Sequence, residues 1–507
     1  MADVLVVGGG PAATWAALKA AESGADVVLA DKGYCGTSGA TASGGTGVWY
    51  VPPVPEAREA AMASREALGG YLADRRWMAR VLDQTYEGVN ELADVARYPF
   101  PVGDDGRQIR TGLQGPEYMR RMRVRVRRAG VRILDHSPVT ELLVDSSGAV
   151  AGAVGYRRQE RHDYEVRAGA VVLATGGCAF LSKALGCDVN TGDGALFAAE
   201  AGAELSGMEF SNAYGIAPEG TSVTKTAFYS YATFYRADGS VLEGASSRRR
   251  SVIAKALLTE KVYCTLDRAD EAARRAMRLA QPNFFLTFDR MGVDPFTERF
   301  AITLLVEGTV RGTGGIRITG DDCATTVPGL YAAGDAATRE LICGGFTGGG
   351  SHNAAWAISS GTWAGRAAAG HARSLGARAA ERGVGAVGVH SDLDYREVIR
   401  TVQAEVLPYE KNYLRRGDRL RSSLDVLDSA WTEVRDSPRA AGGDVVRARQ
   451  AAAMLAHARW MYASALTRTE TRGMAKRLDF PDQDPSQHHR IVSGGLDRVW
   501  ARAEVAS

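Results

Sequence analysis

Three residues near the amino terminus and an aspartate after them have the types and spacing to hold a phosphorylated ligand. Gly8-Gly9-Gly10-Pro11-Ala12-Ala13 fits the pattern G-x-G-x-x-G/A, with Gly8, Gly10 and Ala13 at its key positions. Gly8 permits a tight turn, Gly10 lets the backbone approach a pyrophosphate, and Ala13 lets a helix pack close to a strand. A helix starting at Pro11 aims free N–H groups and the positive end of its dipole at the phosphates. Asp31 ends the next apolar run, placed to accept hydrogen bonds from the ribose hydroxyls of an adenosine. An acid at this position argues against a 2′-phosphorylated nicotinamide nucleotide, which an arginine would suit better.

Such a turn works only between a buried strand and a helix, and the flanking sequence supplies both. Val4–Val7 reads as a strand buried on two faces, Pro11 to Ala21 as a helix stopped by Gly24, and Val27–Ala30 as a second strand. Val131–Leu134, Val139–Val144 and Val150–Tyr156 are β-rich, and the turn Asp145-Ser146-Ser147-Gly148 makes a hairpin of the last two. Ala170–Ala174 is another buried strand. From about 207 to 311 aromatics and arginines increase and the βαβ texture stops, as in an inserted domain. Gly329–Gly334 then returns as a strand, followed by a Gly-rich loop and an Ala-rich helix from Asn353 to Ala372. Gly376 to Asp392 reads as a linker, 395–476 as helical, and the remainder as a mostly irregular tail.

A chain of 507 residues is expected to form two or three domains. Hydrophobic content of 45%, charged content of 24% and a net charge of +2 are ordinary for a globular protein and give no reason to expect nucleic acid or an anionic membrane as a partner. One run, Arg120 to Arg128, is strongly basic and reads as the solvated face of a helix. The six scattered cysteines suggest no metal or iron–sulfur site. Neither a signal peptide nor an apolar stretch long enough to span a bilayer is evident, so a cytoplasmic location is expected.

Further segments bear on which dinucleotide is bound. Asp31-Lys32-Gly33 with Ser38 to Gly45, Ala174-Thr175-Gly176-Gly177, Thr191-Gly192-Asp193-Gly194 and Met208-Glu209-Phe210 occur in that order. Gly314-Gly315-Ile316, Pro328 to Asp335, Arg468 to Gly473 and Arg477 to Pro481 follow them. Together they resemble the motifs of the fumarate reductase/succinate dehydrogenase flavoprotein family, which includes L-aspartate oxidase and the flavoprotein of adenylylsulfate reductase. The resemblance implies an α/β fold: a Rossmann-like FAD-binding domain (1–206 and 312–375), an inserted α+β capping domain (207–311) and a C-terminal helical domain with its tail (390–507). With the glycine motif, it assigns FAD contacts to Gly8, Gly10, Pro11, Ala12, Ala13, Asp31, Lys32, Gly33, Ser38, Gly39, Ser43, Gly44, Gly45, Val139, Ala174, Thr175, Gly176, Asp193, Gly334, Asp335, Gly350, Ser351 and His352.

The departures from that family bear on chemistry. Ser38 stands where covalently flavinylated members carry a histidine, so the resemblance implies non-covalent FAD. Ile342 and Phe346 replace a histidine and an arginine that hold a substrate carboxylate, and Val310-Arg311-Gly312-Thr313 replaces a stretch with another substrate histidine. The arginine motif of the capping domain has no convincing match; Tyr229, Tyr231, Tyr235 and Arg236 lie roughly there. Loss of this clamp makes ordinary succinate or fumarate chemistry unexpected and puts L-aspartate oxidation in doubt. Three residues are left as candidates for catalysis. Arg311 is either an anion anchor or a salt-bridge partner of Glu307; His352 is either a proton-transfer group beside the flavin or a hydrogen-bonded core histidine; Arg236 belongs to the cap. A pocket lined by Phe346, Ile342, Arg311, His352 and part of Tyr229–Arg236 is expected, with Cys343 as packing.

The expected activity is that of an FAD-dependent dehydrogenase or oxidase moving hydride between a small polar or carboxylate-bearing substrate and flavin N5, with oxygen, a quinone or a redox protein as acceptor. A reductase of an activated double bond, or an electron-transferring subunit docking an iron–sulfur partner, are the alternatives.

Overall fold

The structure is a computed structural model that describes residues 1–103, 105–224, 227–246, 250–347, 349–375, 382–383, 394–436, 440 and 442–504. Val4–Val7, all but unexposed, lie at the centre of an eight-stranded sheet. The strand Ala2–Val7 pairs in parallel with Val27–Ala30 on one side and with His162–Leu173 on the other. Arg132–Leu134 extends the sheet beyond Val27–Ala30, and Leu330–Ala332 pairs with His162–Leu173, both in parallel. The inner strands are covered on both sides, which is why they read as unbroken Val/Ala/Leu runs and not as alternating ones.

His162–Leu173 is longer than its buried portion suggests. Its first half, His162–Arg167, pairs antiparallel with Val150–Arg157, and its second half, from Ala168, enters the parallel sheet. The expected hairpin Val139–Val144 with Val150–Arg157 is present and continues the sheet from this first half. Of the segment expected to be a linker, the described residues Arg382 and Gly383 pair with Leu143 and Val144; the rest lies outside the described residues.

Residues between the two parts of the main sheet build a second, antiparallel sheet in the order Ala213–Pro218, Phe300–Glu307, Val262–Thr265, Thr233–Tyr235. Phe228, Tyr229, Phe284, Phe285 and Phe288 pack edge-to-face or tilted beside it, forming an aromatic core of its own. The helix Asp444–Thr467 is buried almost all round, as the central helix of the carboxy-terminal portion. No helix of the described residues is long and apolar enough to cross a membrane.

Two expectations need correction. The tail is not irregular: Ile491–Gly494 and Trp500–Ala503 form a hairpin that joins Leu205–Ser206 and Gly315–Ile316 in a four-stranded sheet. The basic run is solvated only in part. On the helix Gly115–Arg128, Arg123 pairs with Asp135 at 2.7 Å and Arg125 pairs with Glu91, because the helical repeat turns part of the run toward neighbouring carboxylates. Arg120, Arg127 and Arg128 remain exposed.

Candidate functional site

The parallel strands deliver Gly8 to a point where no side chain fits. Its φ is +123°, and a Cβ there would stand 2.3 Å from the Ala174 carbonyl oxygen. The glycine turn and the Ala174-Thr175-Gly176 turn are therefore in direct backbone contact. Pro11 occupies the first turn of the helix Pro11–Glu22, and the extended N-cap residue Gly10 offers no capping side chain. The first-turn N–H groups thus stay available for an anion. Ala12 and Ala13 are buried beneath them.

Asp31 lies against this turn: a Cβ on Gly9 would stand 2.1 Å from its Oδ2. Ser38 Oγ donates to the same oxygen at 2.5 Å. Burial pushes the Asp31 pKa up, opposed by the Ser38 hydroxyl and the Gly33 N–H. Gly39 rests on Gly10 and Pro11, with Gly10 Cα 2.8 Å from the place of a Cβ on Gly39. Lys32 Nζ bonds Asp193 at 2.8 Å and Thr191 at 3.1 Å, locking the Asp31-Lys32-Gly33 segment to the Thr191–Gly194 turn. Thr175 Oγ1 and Asn190 crowd Gly194 and Gly176, where a Cβ would come within 2.2 Å and 2.6 Å of them. Val139, buried, begins the hairpin that follows this edge.

On the opposite wall, Gly334 follows the strand Leu330–Ala332 and lies against Ala12, 2.6 Å from Ala12 Cβ to the place of a Cβ. Asp335 comes next, bound by Arg339. The helix Gly349–Leu375 starts nearby and carries Gly350, Ser351 and His352. Trp49 N donates to Ser351 O at 3.1 Å, which brings the Ser43-Gly44-Gly45 segment, through the strand Gly45–Gly47, onto the start of this helix. His352 is fully buried, its ring centroid 4.2 Å from that of Trp49 and its Nδ1 3.2 Å from Ser351 Oγ.

The donor set fits FAD. An uncapped helix terminus faces the glycine turn, a buried carboxylate stands at the end of the second strand, and two buried hydroxyls, Ser43 Oγ and Thr347 Oγ1, have no hydrogen-bond partner among the described residues. A family description, FAD binding domain, matches residues 3–214, and a second, fumarate reductase flavoprotein C-term, matches residues 410–497. In both segments the chain resembles the fumarate reductase/succinate dehydrogenase flavoproteins. It is an FAD-dependent oxidoreductase. L-aspartate oxidase of Streptomyces coelicolor is 28% identical over 99% of this chain and 93% of that protein. One component of the fumarate reductase (CoM/CoB) of Methanothermobacter marburgensis is 25% identical over 97% of this chain and 96% of that component. In fold, the flavoprotein resembles E. coli quinol fumarate reductase (TM-score 0.82, 20% identity, 99% of this chain and 96% of that one). It also resembles adenylylsulfate reductase of Archaeoglobus fulgidus (TM-score 0.76, 18% identity, 99% and 95%).

The flavoprotein's remaining candidate residues divide between this cradle and the second sheet. Arg311 closes the turn Gly308–Arg311 at the end of the strand Phe300–Glu307, and its Nη1 donates to both oxygens of Glu307 at 3.4 and 3.2 Å. Glu307 is 1% exposed and also accepts from Thr224 Oγ1 at 2.7 Å. The Glu307 carboxylate raises the Arg311 pKa. Asn353 Nδ2 bonds Val310 O at 3.1 Å and so ties the turn to the helix bearing His352.

Arg250 is a residue that sequence reasoning does not single out. It starts the helix Arg250–Ala256 and is partly buried; burial and the Arg311 charge lower its pKa, while the nearby Glu307 supports it. The Arg250 charge therefore acts on the same pair that Arg311 makes with Glu307. Asp335, the next acid near Arg311, is already bound by Arg339. The run of three arginines at 248–250 is the available signal, and Arg248 and Arg249 lie outside the described residues.

Arg236 is not brought to this group. Its guanidinium bonds Glu260 at 2.5 Å beside the edge strand Thr233–Tyr235. Tyr229 sits in the aromatic core of the second sheet, and Tyr231 is exposed. Ile342 is fully buried in the main core, while Phe346 is half-buried against Leu72, Phe210, Ala213 and Met474. The expected pocket wall from Tyr229 to Arg236 therefore falls away, because these residues are spent on folding the second sheet. Cys343 is buried and its thiol pushed up to about 11, as expected of packing.

Proposed function

We propose that this flavoprotein is a dehydrogenase or oxidase that moves hydride between flavin N5 and a small substrate carrying one anionic group and one apolar or aromatic end. The observation that carries the reading is Arg311, held by Glu307 on the turn tied to the helix of His352, with the Arg250 charge acting on the same pair. A partly buried excess cation is costly unless an anion joins it. One carboxylate balances the group, whereas the second charge of a dicarboxylate would meet apolar Phe346, where aligned family members place a cation, and the other such position, Ile342, is closed off in the core. FAD, when bound, supplies the two-electron chemistry at N5. Arg311, fixed by Glu307 and by the Val310–Asn353 bond, orients the anionic end; Phe346 offers the apolar end a surface; His352, next to Ser351, is the group positioned to hold a proton at the helix start.

Steady-state assays with succinate, fumarate, L-aspartate and a panel of aromatic and aliphatic monoacids test it. Turnover is expected from monoacids. Arg311→Ala is expected to lower kcat/KM by roughly ten- to a hundredfold, the worth of one charge-assisted hydrogen bond, with the flavin spectrum unchanged. Efficient turnover of succinate or L-aspartate would overturn the reading.

We also propose that the FAD is held without a covalent link, since Ser38 is a hydroxyl already donating to Asp31. Acid precipitation is expected to release all of the yellow colour into the supernatant. Flavin fluorescence remaining on the denatured chain would contradict it.

A further inference from the structure

We propose that Arg339 is a positioning residue for the cofactor: it is the counter-ion that lets an acidic residue, Asp335, stand beside a dinucleotide that is itself anionic. The proposal rests on the FAD cradle described above. Asp335 follows Gly334, which lies on the first turn of the helix Pro11–Glu22, 2.6 Å from Ala12 Cβ to the place of a Cβ. Trp356 Nε1 donates to Gly334 O at 3.0 Å and Ser360 Oγ accepts from Gly334 N at 2.9 Å, so the backbone before Asp335 is fixed. The Asp335 side chain is 17% exposed, whereas Arg339 behind it is 1% exposed. A carboxylate at the wall of a pyrophosphate cradle repels the ligand unless its charge is compensated.

Arg339 compensates it from the protein side. One end of its guanidinium bonds the Asp335 carboxylate and the other bonds the Gly312 carbonyl. Its own backbone N–H donates to Thr313 O at 2.7 Å, and the preceding Thr338 donates to Ile316 O at 2.9 Å through its N–H and to Thr313 O at 3.2 Å through its hydroxyl. The side chain is thus held between two turns and cannot follow the ligand out to solvent. Lys32, another cation of the cradle, is spent on Asp193. Because one end of Arg339 reaches the carbonyl before Thr313, the residue also sets the distance between the Asp335 wall and the turn carrying Arg311.

The test measures FAD release from purified holoenzyme on dilution, read by the rise in flavin fluorescence. Arg339→Met is expected to weaken FAD binding by about tenfold to a hundredfold, as for loss of a buried charge-assisted bond. The double variant Arg339→Met with Asp335→Asn removes the carboxylate's charge as well and is expected to recover affinity to within about threefold of the parent, the residual being ordinary non-additivity. Wild-type FAD affinity in Arg339→Met would overturn the proposal. So would a double variant that folds yet binds no better than the single one, or failure of both variants to fold, since either result would make Arg339 a strut and not a counter-ion.

Discussion

Gly8→Ala will yield a protein with little or no FAD. The new Cβ would lie 2.3 Å from the Ala174 oxygen, 2.8 Å from its carbonyl carbon and 3.3 Å from Thr175 N, all of them backbone atoms that no rotamer change can move aside. The backbone at φ +123° is itself unfavourable for alanine, by about 1–3 kcal/mol. Relief requires the strand Ala2–Val7 and the Ala174–Gly176 turn to part, and both form walls of the cradle. Flavin absorbance per mole of purified protein is the measurement. A stoichiometric flavin content would show that the two turns do not need their observed contact.

Glu470→Ala will cost about 3–5 kcal/mol of stability, the usual penalty for removing one partner from a buried ion network. Glu470 is 0% exposed and bonds Arg468 at 2.7 Å and Arg472 at 2.5 Å. Arg468 also bonds Glu209 at 2.9 Å, in the Met208–Phe210 turn, and Arg472 bonds Gly70 O at 2.5 Å. Without Glu470, Arg468 keeps Glu209 but Arg472 is left with the Gly70 and Asp484 carbonyls, in a place water does not reach. The damage will extend to the cofactor loop, because Met474 N donates to Gly345 O at 2.7 Å just beyond Arg472. Denaturant unfolding of parent and variant gives the difference, and a loss below about 1 kcal/mol would place the network among weakly coupled surface pairs. Glu470→Gln, which keeps the shape, is expected to cost less.

What can be read from the chain in advance is local in nature. The glycine turn, Asp31 and the buried strands are each specified within a few residues by backbone conformation or by an unbroken apolar run, and the structure places them together. The Arg311–Glu307 pair is visible for the same reason, being one helical turn apart. Asp335 and Arg339 have that same spacing, yet nothing draws attention to Arg339, because the loop around it has no helical periodicity. Arg250 acquires its role only through the charges of Glu307 and Arg311, some sixty positions away, which no local pattern encodes. Tyr229 and Arg236 go the other way: placed by position within a family motif, they serve an aromatic core and a surface ion pair instead. The terminal hairpin escapes notice because its partner in the sheet, Leu205–Ser206, is two residues long and carries no strand signal of its own.

That hairpin has a consequence for how the molecule is made. Ser206 and Ile491, bonded across the four-stranded sheet, are 285 positions apart. During synthesis the first βαβ unit can close early, since Val4–Val7 and Val27–Ala30 are neighbours in sequence. Leu205–Ser206 and Gly315–Ile316 can pair only after the second sheet has been threaded between them, and they stay an open edge until Ile491 leaves the ribosome. Contacts of such long range are the slow ones in folding. The turn Met208–Phe210 and the loop it supports therefore reach their final form last, after every wall of the dinucleotide cradle, including Gly334 and the helix Gly349–Leu375, has been synthesised.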